Sequence, residues 1–139
     1  MTPSLSNQLA SDSRTEKITI NMGAVDLGKV DLLVQEGLYS NRTDFIRTAI
    51  RKQIEQHASE VQQTIARNAF VVGVLHYTKR LLESELAKGT KIRITVLGML
   101  TLADDISPEL AKQTIETIRV RGIFHAREEL KSALVDRIA

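Results

Sequence analysis

Polar and apolar residues alternate over residues 17–22, in the order Lys17, Ile18, Thr19, Ile20, Asn21 and Met22. A period of two predicts a β-strand with its polar side chains on one face and its apolar side chains on the other. No second strand follows within hairpin distance, so the backbone groups of this strand must pair with a distant strand or with a second copy of itself. Pairing with a second copy would give a two-stranded antiparallel ribbon.

Two helices are predicted after the strand. Apolar residues recur at three- and four-residue steps over residues 25–34, and Gly37 is placed to end this helix in a left-handed conformation. A second helix begins at Asn41, whose side chain can accept a hydrogen bond from the backbone of Thr43 or Asp44 while Asp44 reaches back. Its apolar stripe continues with no glycine or proline before residue 73, which favours a helical and rigid connection to the second half.

The polar face of the strand and the start of the second helix are candidate contacts to DNA. A two-stranded ribbon fits the major groove, where lysine suits guanine, asparagine suits adenine and threonine suits either base. At the helix start, the open amides of Arg42 and Thr43, the positive end of the helix dipole and the Arg42 side chain predict a phosphate site.

Residues 16–57 resemble the ribbon-helix-helix family, the Arc/MetJ/CopG type of bacterial DNA-binding proteins. The resemblance rests on the strand K-I-T-I-N-M, the glycine-bounded first helix and the stretch Y-S-N-R-T-D-F-I-R-T-A-I. Position by position, it implies base contacts by Lys17, Thr19 and Asn21, and phosphate contacts by Asn41, Arg42 and Thr43. Gly28, inside the first helix, departs from the family pattern.

The second half repeats a pattern around three glycines. Gly73, Gly98 and Gly122 lie 25 and 24 residues apart, with a valine two residues before each and apolar residues at the two positions after it. Each unit reads as a strand followed by a short helix, and units of this length bury an apolar face by stacking on one another. The last unit ends without an evident polar cap, which predicts an exposed end that a second copy covers.

A ferredoxin-like βαββαβ fold is the alternative for the second half, and it would resemble the ligand-sensing half of nickel-responsive repressors. It requires a hairpin within residues 91–103, where Gly98 has no Asn or Asp beside it. One long strand with a bulge is simpler, so the repeat is favoured.

These patterns predict an α+β protein. Its expected parts are a disordered arm at 1–13, a ribbon-helix-helix domain at 14–60, a helical connection at 61–69 and a C-terminal repeat domain for oligomerisation at 70–139.

Composition and charge limit which binding and catalytic sites the chain can form. The net charge is +2, and residues 1–60 hold 7 Lys/Arg against 8 Asp/Glu, so affinity for DNA must come from the local placement of charge. There is no cysteine. His76 and His125 each lie three residues after a repeat glycine and would share a face with Thr101. Two imidazoles alone make an incomplete metal site. No catalytic motif is present, so neither a catalytic residue, a metal nor a cofactor is expected.

We therefore expect a cytoplasmic bacterial transcriptional regulator, a repressor acting by operator occlusion. Its partners would be double-stranded DNA and a second copy in a homodimer, with tetramers or larger species forming through the C-terminal half and no membrane. Two alternatives stay open: an antitoxin whose second half wraps a toxin, and a nucleoid or partition protein that coats DNA.

Overall fold

The helices and strands of the chain form two separate units. The computed structural model describes residues 14–139. One unit comprises residues 17–64, and the other comprises residues 65–139 with the described residues before 17. The expected mixture of helices and strands is present, whereas the arm predicted at 1–13 lies outside the described residues.

Two helices with well-defined ends form most of the first unit. Helix α1 spans Ala24–Gln35 and helix α2 spans Arg42–Gln56. Gly37 has φ +82°, and the backbone N–H groups of Gly37 and Leu38 donate to the carbonyls of Val34 and Leu33 at 3.0 and 3.1 Å. These bonds satisfy the last carbonyls of α1 and turn the chain toward α2.

Helical structure does not run unbroken from α2 into the second half. Helix α3 spans Ala58–Asn68, and His57 interrupts the helix with φ −104° and ψ 21°. The N–H of His57 donates to the carbonyl of Ile54 at 3.0 Å, which is the tightened bond of a helix end. The prediction of a continuous helix was therefore wrong at this residue.

The predicted N-terminal strand is not formed within the single chain. Residues 15–23 carry no regular secondary structure, and the side chains of Ile18 and Ile20 are 71% and 58% exposed. A strand is defined by a hydrogen-bonded partner strand, and the sheet in the described part of the chain has three strands, none of which lies within residues 15–23.

The second unit alternates strands with short helices. In chain order these are β1 (Val71–Tyr77), α4 (Lys79–Lys88), β2 (Ile92–Leu102), α5 (Pro108–Thr114), β3 (Ile115–His125) and α6 (Glu128–Ala133), followed by a 3₁₀ turn at Val135–Arg137. Thr78 and Ser107 cap α4 and α5 by accepting from the N–H groups of Leu81 and Leu110, both at 3.2 Å. These caps fix where each strand ends and its helix begins.

The three strands form one parallel sheet in the order β1-β2-β3, and its register coincides with the sequence repeat. Gly73 lies opposite Gly98, which lies opposite Gly122. The ferredoxin-like alternative is wrong, because residues 92–102 form one strand without a hairpin and every pairing in the sheet is parallel. The irregularity of β2 lies between Ile92 and Arg93 rather than at Gly98.

The aligned glycines allow the strands to approach closely. All three have positive φ values, of 136°, 139° and 127° in chain order. A Cβ on Gly98 would collide with the carbonyl oxygen of Gly73, and a Cβ on Gly122 would collide with that of Gly98, whereas a Cβ on Gly73 would meet open space. Glycine is therefore required at Gly98 and Gly122 by both conformation and contact.

The hydrophobic core lies between one face of the sheet and the helices. It contains Leu82 of α4, Leu110 and Ala111 of α5, Leu130 of α6, and the strand residues Ile94, Val96, Leu100, Leu102 and Ile118. Alternate strand residues point away from this core. Among them, Val72 and Val74 of β1 are more than half exposed.

The two edges of the sheet differ. At β3, Ile118 forms a parallel bridge with Ile138, and the N–H of Ala139 donates to the carbonyl of Ile118 at 2.8 Å. The end of the chain thus covers part of the last strand, contrary to the expectation that this end is bare. Strand β1 has no partner on its outer edge among residues 14–139.

Candidate nucleic-acid interface

The three predicted base-contacting residues are all exposed. Lys17, Thr19 and Asn21 lie on the segment before α1, and they alternate with exposed apolar neighbours. Because no strand forms in the single chain, the three side chains are not yet held on one face.

Many large apolar side chains of the first unit are exposed. Within residues 17–64 only Val30 is buried, at 5% exposure. The large apolar side chains left exposed are Ile18, Ile20, Met22, Val25, Leu32, Leu38, Ile50 and Ile54. Other apolar side chains of this unit, such as Leu27, Phe45 and Ile46, are half-buried. Burial this limited offsets only part of the conformational entropy that about 48 ordered residues lose on folding. The exposed apolar side chains are therefore available to a partner surface.

The start of α2 is built by reciprocal hydrogen bonds. Asn41 has extended backbone angles, and its side-chain oxygen accepts from the N–H of Asp44 at 2.8 Å. The Asp44 carboxylate accepts in turn from the N–H of Ser40 at 3.0 Å. An α-helix provides no internal acceptor for its first amides, so those of Arg42 and Thr43 remain suited to bind an anion.

Arg42 is engaged within the chain. Its Nε and Nη2 donate to the two carboxylate oxygens of Asp31 on α1, at 2.7 and 2.8 Å. This bidentate hydrogen bond lowers the pKa of Asp31 and raises that of Arg42. The Arg42 side chain thus joins α1 to α2 instead of pointing freely into solvent, a contact that the sequence pattern did not reveal.

Two further arginines lie beside the helix start. A surface concavity is lined by Ser40, Asn41, Thr43, Asp44, Arg47 and Arg51. Arg47 and Arg51 are exposed and one helical turn apart, so they place positive charge next to the open amides. Neither arginine was among the predicted site residues, although their spacing from Asn41 along an amphipathic helix could have revealed them.

Arginine side chains of the sheet are engaged in contacts within the chain. Arg93 donates from Nε to Glu116 at 2.7 Å, and this bond lowers the pKa of Glu116. The guanidinium of Arg119 lies 5.9 Å from the ring centre of Phe70, and Arg121 donates to the carbonyl of Val120 at 3.1 Å. These contacts make the sheet a weaker candidate for DNA than the start of α2.

The histidines of the second unit align as the repeat predicts. His76 lies opposite Thr101, which lies opposite His125. Two strand spacings, roughly 9–10 Å, separate the backbones of the two histidines. No cluster of three or more His, Asp or Glu side chains suited to a metal occurs within residues 14–139.

The exposed alternating segment, the two capped helices and the helix start with its open amides are features of a DNA-binding protein of the ribbon-helix-helix class. A model of the ribbon-helix-helix transcriptional regulator family matches residues 13–131, and the chain belongs to this family. The match extends past residues 16–57 and includes most of the second half. No curated protein and no solved structure matched the chain.

Membership of this family indicates the general function of the protein. It implies a DNA-binding transcriptional regulator that forms dimers, and the family is one of regulators rather than of enzymes. Among the described residues, no helix is long and apolar enough to cross a membrane.

Proposed function

We propose that this protein is a sequence-specific repressor that reads the major groove with a ribbon formed by residues 16–22 of two chains. The observation that carries the proposal is the exposed alternation of Lys17, Thr19 and Asn21 with apolar residues in a unit that buries a single apolar side chain. Binding over a promoter would then exclude the polymerase.

The dimer orders the reading face. When two copies pair their N-terminal segments, the side chains of Ile18, Ile20 and Met22 are buried together against the helices. The period of two then directs Lys17, Thr19 and Asn21 of both chains toward the groove. Base recognition is thereby coupled to dimerisation.

The start of α2 anchors the dimer on the DNA backbone. In this proposal, Asn41, Arg42 and Thr43 bind a phosphate, with the amides of Arg42 and Thr43 as donors and Asn41 holding the helix start in shape. Arg47 supplies the nearby positive charge, because the Arg42 side chain is paired with Asp31. Such contacts set the position of the ribbon without reading sequence.

Replacing Thr19 or Asn21 with Ala tests the reading role. Each substitution is expected to weaken binding to the preferred site by about 1–3 kcal/mol and to change binding to random DNA little, because base contacts alone are lost. Arg47→Ala is the matched control: it should weaken binding to both DNAs and reduce the salt dependence. Titrations on specific and random duplexes at several salt concentrations measure both effects. Equal losses on both DNAs for all three variants would exclude the strand as the reader.

We further propose that the second unit joins dimers into tetramers or larger species on operators with several half-sites. The support is its separate core and the edge of β1, which has no partner among residues 14–139, so that a folded domain offers a surface for assembly. Linked dimers raise the effective concentration of the second binding event.

Removing the second unit tests this assembly. A chain ending at Asn68 is expected to remain a dimer in light scattering, while the full-length protein is larger. On DNA with two half-site pairs, the truncated protein should lose affinity by roughly 100-fold or more, the usual gain from linkage, and it should lose little on a single site. Identical masses and equal losses on both DNAs would rule out the assembly role.

A further inference from the structure

Strand β1 presents an edge that lacks the usual protection against pairing. Its sequence, VVGVLHY, contains no lysine, arginine, acidic residue or proline. Val71, Val72 and Val74 are 51%, 62% and 53% exposed. Natural edge strands are commonly short, charged or covered, because their free N–H and C=O groups otherwise recruit another strand. Strand β1 has seven residues, carries no charge, and has no strand on its outer edge among residues 14–139.

The opposite edge of the sheet is covered over part of its length. Ile138 and Ala139 occupy the edge of β3 at Ile118, and Arg119 and Arg121 add positive charge to the same strand. Two β3 edges would repel each other, and a β3 edge could join β1 of a second copy over part of its length only. Such head-to-tail joining would also leave free edges and grow into open filaments.

We propose that β1 pairs antiparallel with β1 of a second copy, so that two three-stranded sheets become one sheet of six strands. This inference rests on the proposed assembly through the second unit and identifies the surface that performs it. A twofold axis makes the interface self-complementary and closed, which removes both open β1 edges at once. The absence of charge on β1 permits this pairing, since no like charges face each other across the axis.

A further observation favours a second copy of the chain as the partner of the β1 edge. The family forms dimers, so each second unit is tethered near others whenever the protein is assembled on DNA. Tethering raises the local concentration of β1 edges above that of any free protein partner.

The chain has no cysteine, so single cysteines report the pairing directly. If all seven residues of β1 overlap, Val74 lies on the twofold axis and faces its own copy. The two Cα atoms are then about 4.5–5.5 Å apart, within the range for a disulfide. Full-length Val74→Cys is expected to form a disulfide-linked dimer on mild oxidation. Val72→Cys is the matched control, because its two copies would lie roughly 14 Å apart along the strands. Ser84→Cys, exposed on α4, controls for random collision.

A charged side chain placed on the twofold axis provides a second test of the β1 pairing. Full-length Val74→Lys should reduce the mass of the assembly in light scattering while leaving affinity for a single operator site unchanged. No faster cross-linking of Val74→Cys than of Ser84→Cys, with an unchanged mass for Val74→Lys, would overturn the pairing of β1. Efficient cross-linking in a protein whose mass is that of a dimer would support the pairing and overturn the proposed tetramer. The loss of operator recognition expected for Thr19→Ala and Asn21→Ala tests the proposed ribbon, and it does not depend on either of these results.

Discussion

Ile20→Lys is expected to abolish the dimer and, with it, specific DNA binding. Ile20 is 58% exposed in the single chain, on the apolar side of the segment proposed to pair with its copy. An unpaired charge buried in such an interface costs roughly 3–5 kcal/mol per copy. Two copies meet in each dimer, so the dimerisation constant should fall by about ten-thousandfold or more. Analytical ultracentrifugation over a range of concentrations measures the change.

Thr19→Lys is the control for this prediction, because it places the same charge one residue earlier, on the polar face. It should leave the dimer intact while altering which DNA is preferred. In the unsubstituted protein, the unfolding of the first unit should shift to higher temperature as protein concentration rises. A folded monomer whose stability does not depend on concentration would contradict the ribbon itself.

Gly98→Ala and Gly122→Ala are expected to destabilise the second unit by at least about 3 kcal/mol, through backbone collision and a strained positive φ together. At each position the new methyl group would meet the carbonyl oxygen of the preceding glycine in the sheet. Backbone atoms of a packed parallel sheet cannot move aside without breaking its register. Urea unfolding followed by circular dichroism measures the loss.

Gly73→Ala separates the two causes. Gly73 has φ +136°, close to the value at Gly98, but a Cβ there would meet nothing within 4 Å. This variant should lose about 1–3 kcal/mol, the cost of the conformation alone, and clearly less than Gly98→Ala. Equal destabilisation by Gly73→Ala and Gly98→Ala would show that the carbonyl contact is unimportant.

Prediction from the sequence succeeded where the controlling contacts are local. The end of α1 at Gly37 and the cap of α2 at Asn41 depend on residues within a few positions, so their pattern is visible along the chain. The repeat was also visible, because strands in a parallel sheet with equivalent crossovers keep equivalent residues opposite one another. The interruption at His57 was missed, since no glycine or proline marks it.

The sequence by itself determined the family resemblance over residues 16–57, the candidate base contacts and the glycine register of the second half. Only the tertiary structure decided that Arg42 is held by Asp31, eleven residues away on another helix. It also decided that Ile138 and Ala139 cover part of β3, while β1 has no outer partner among residues 14–139. Both depend on which distant segments pack together. Side-chain periodicity specifies the face of an element that is buried, but not the partner or the sheet edge that it meets.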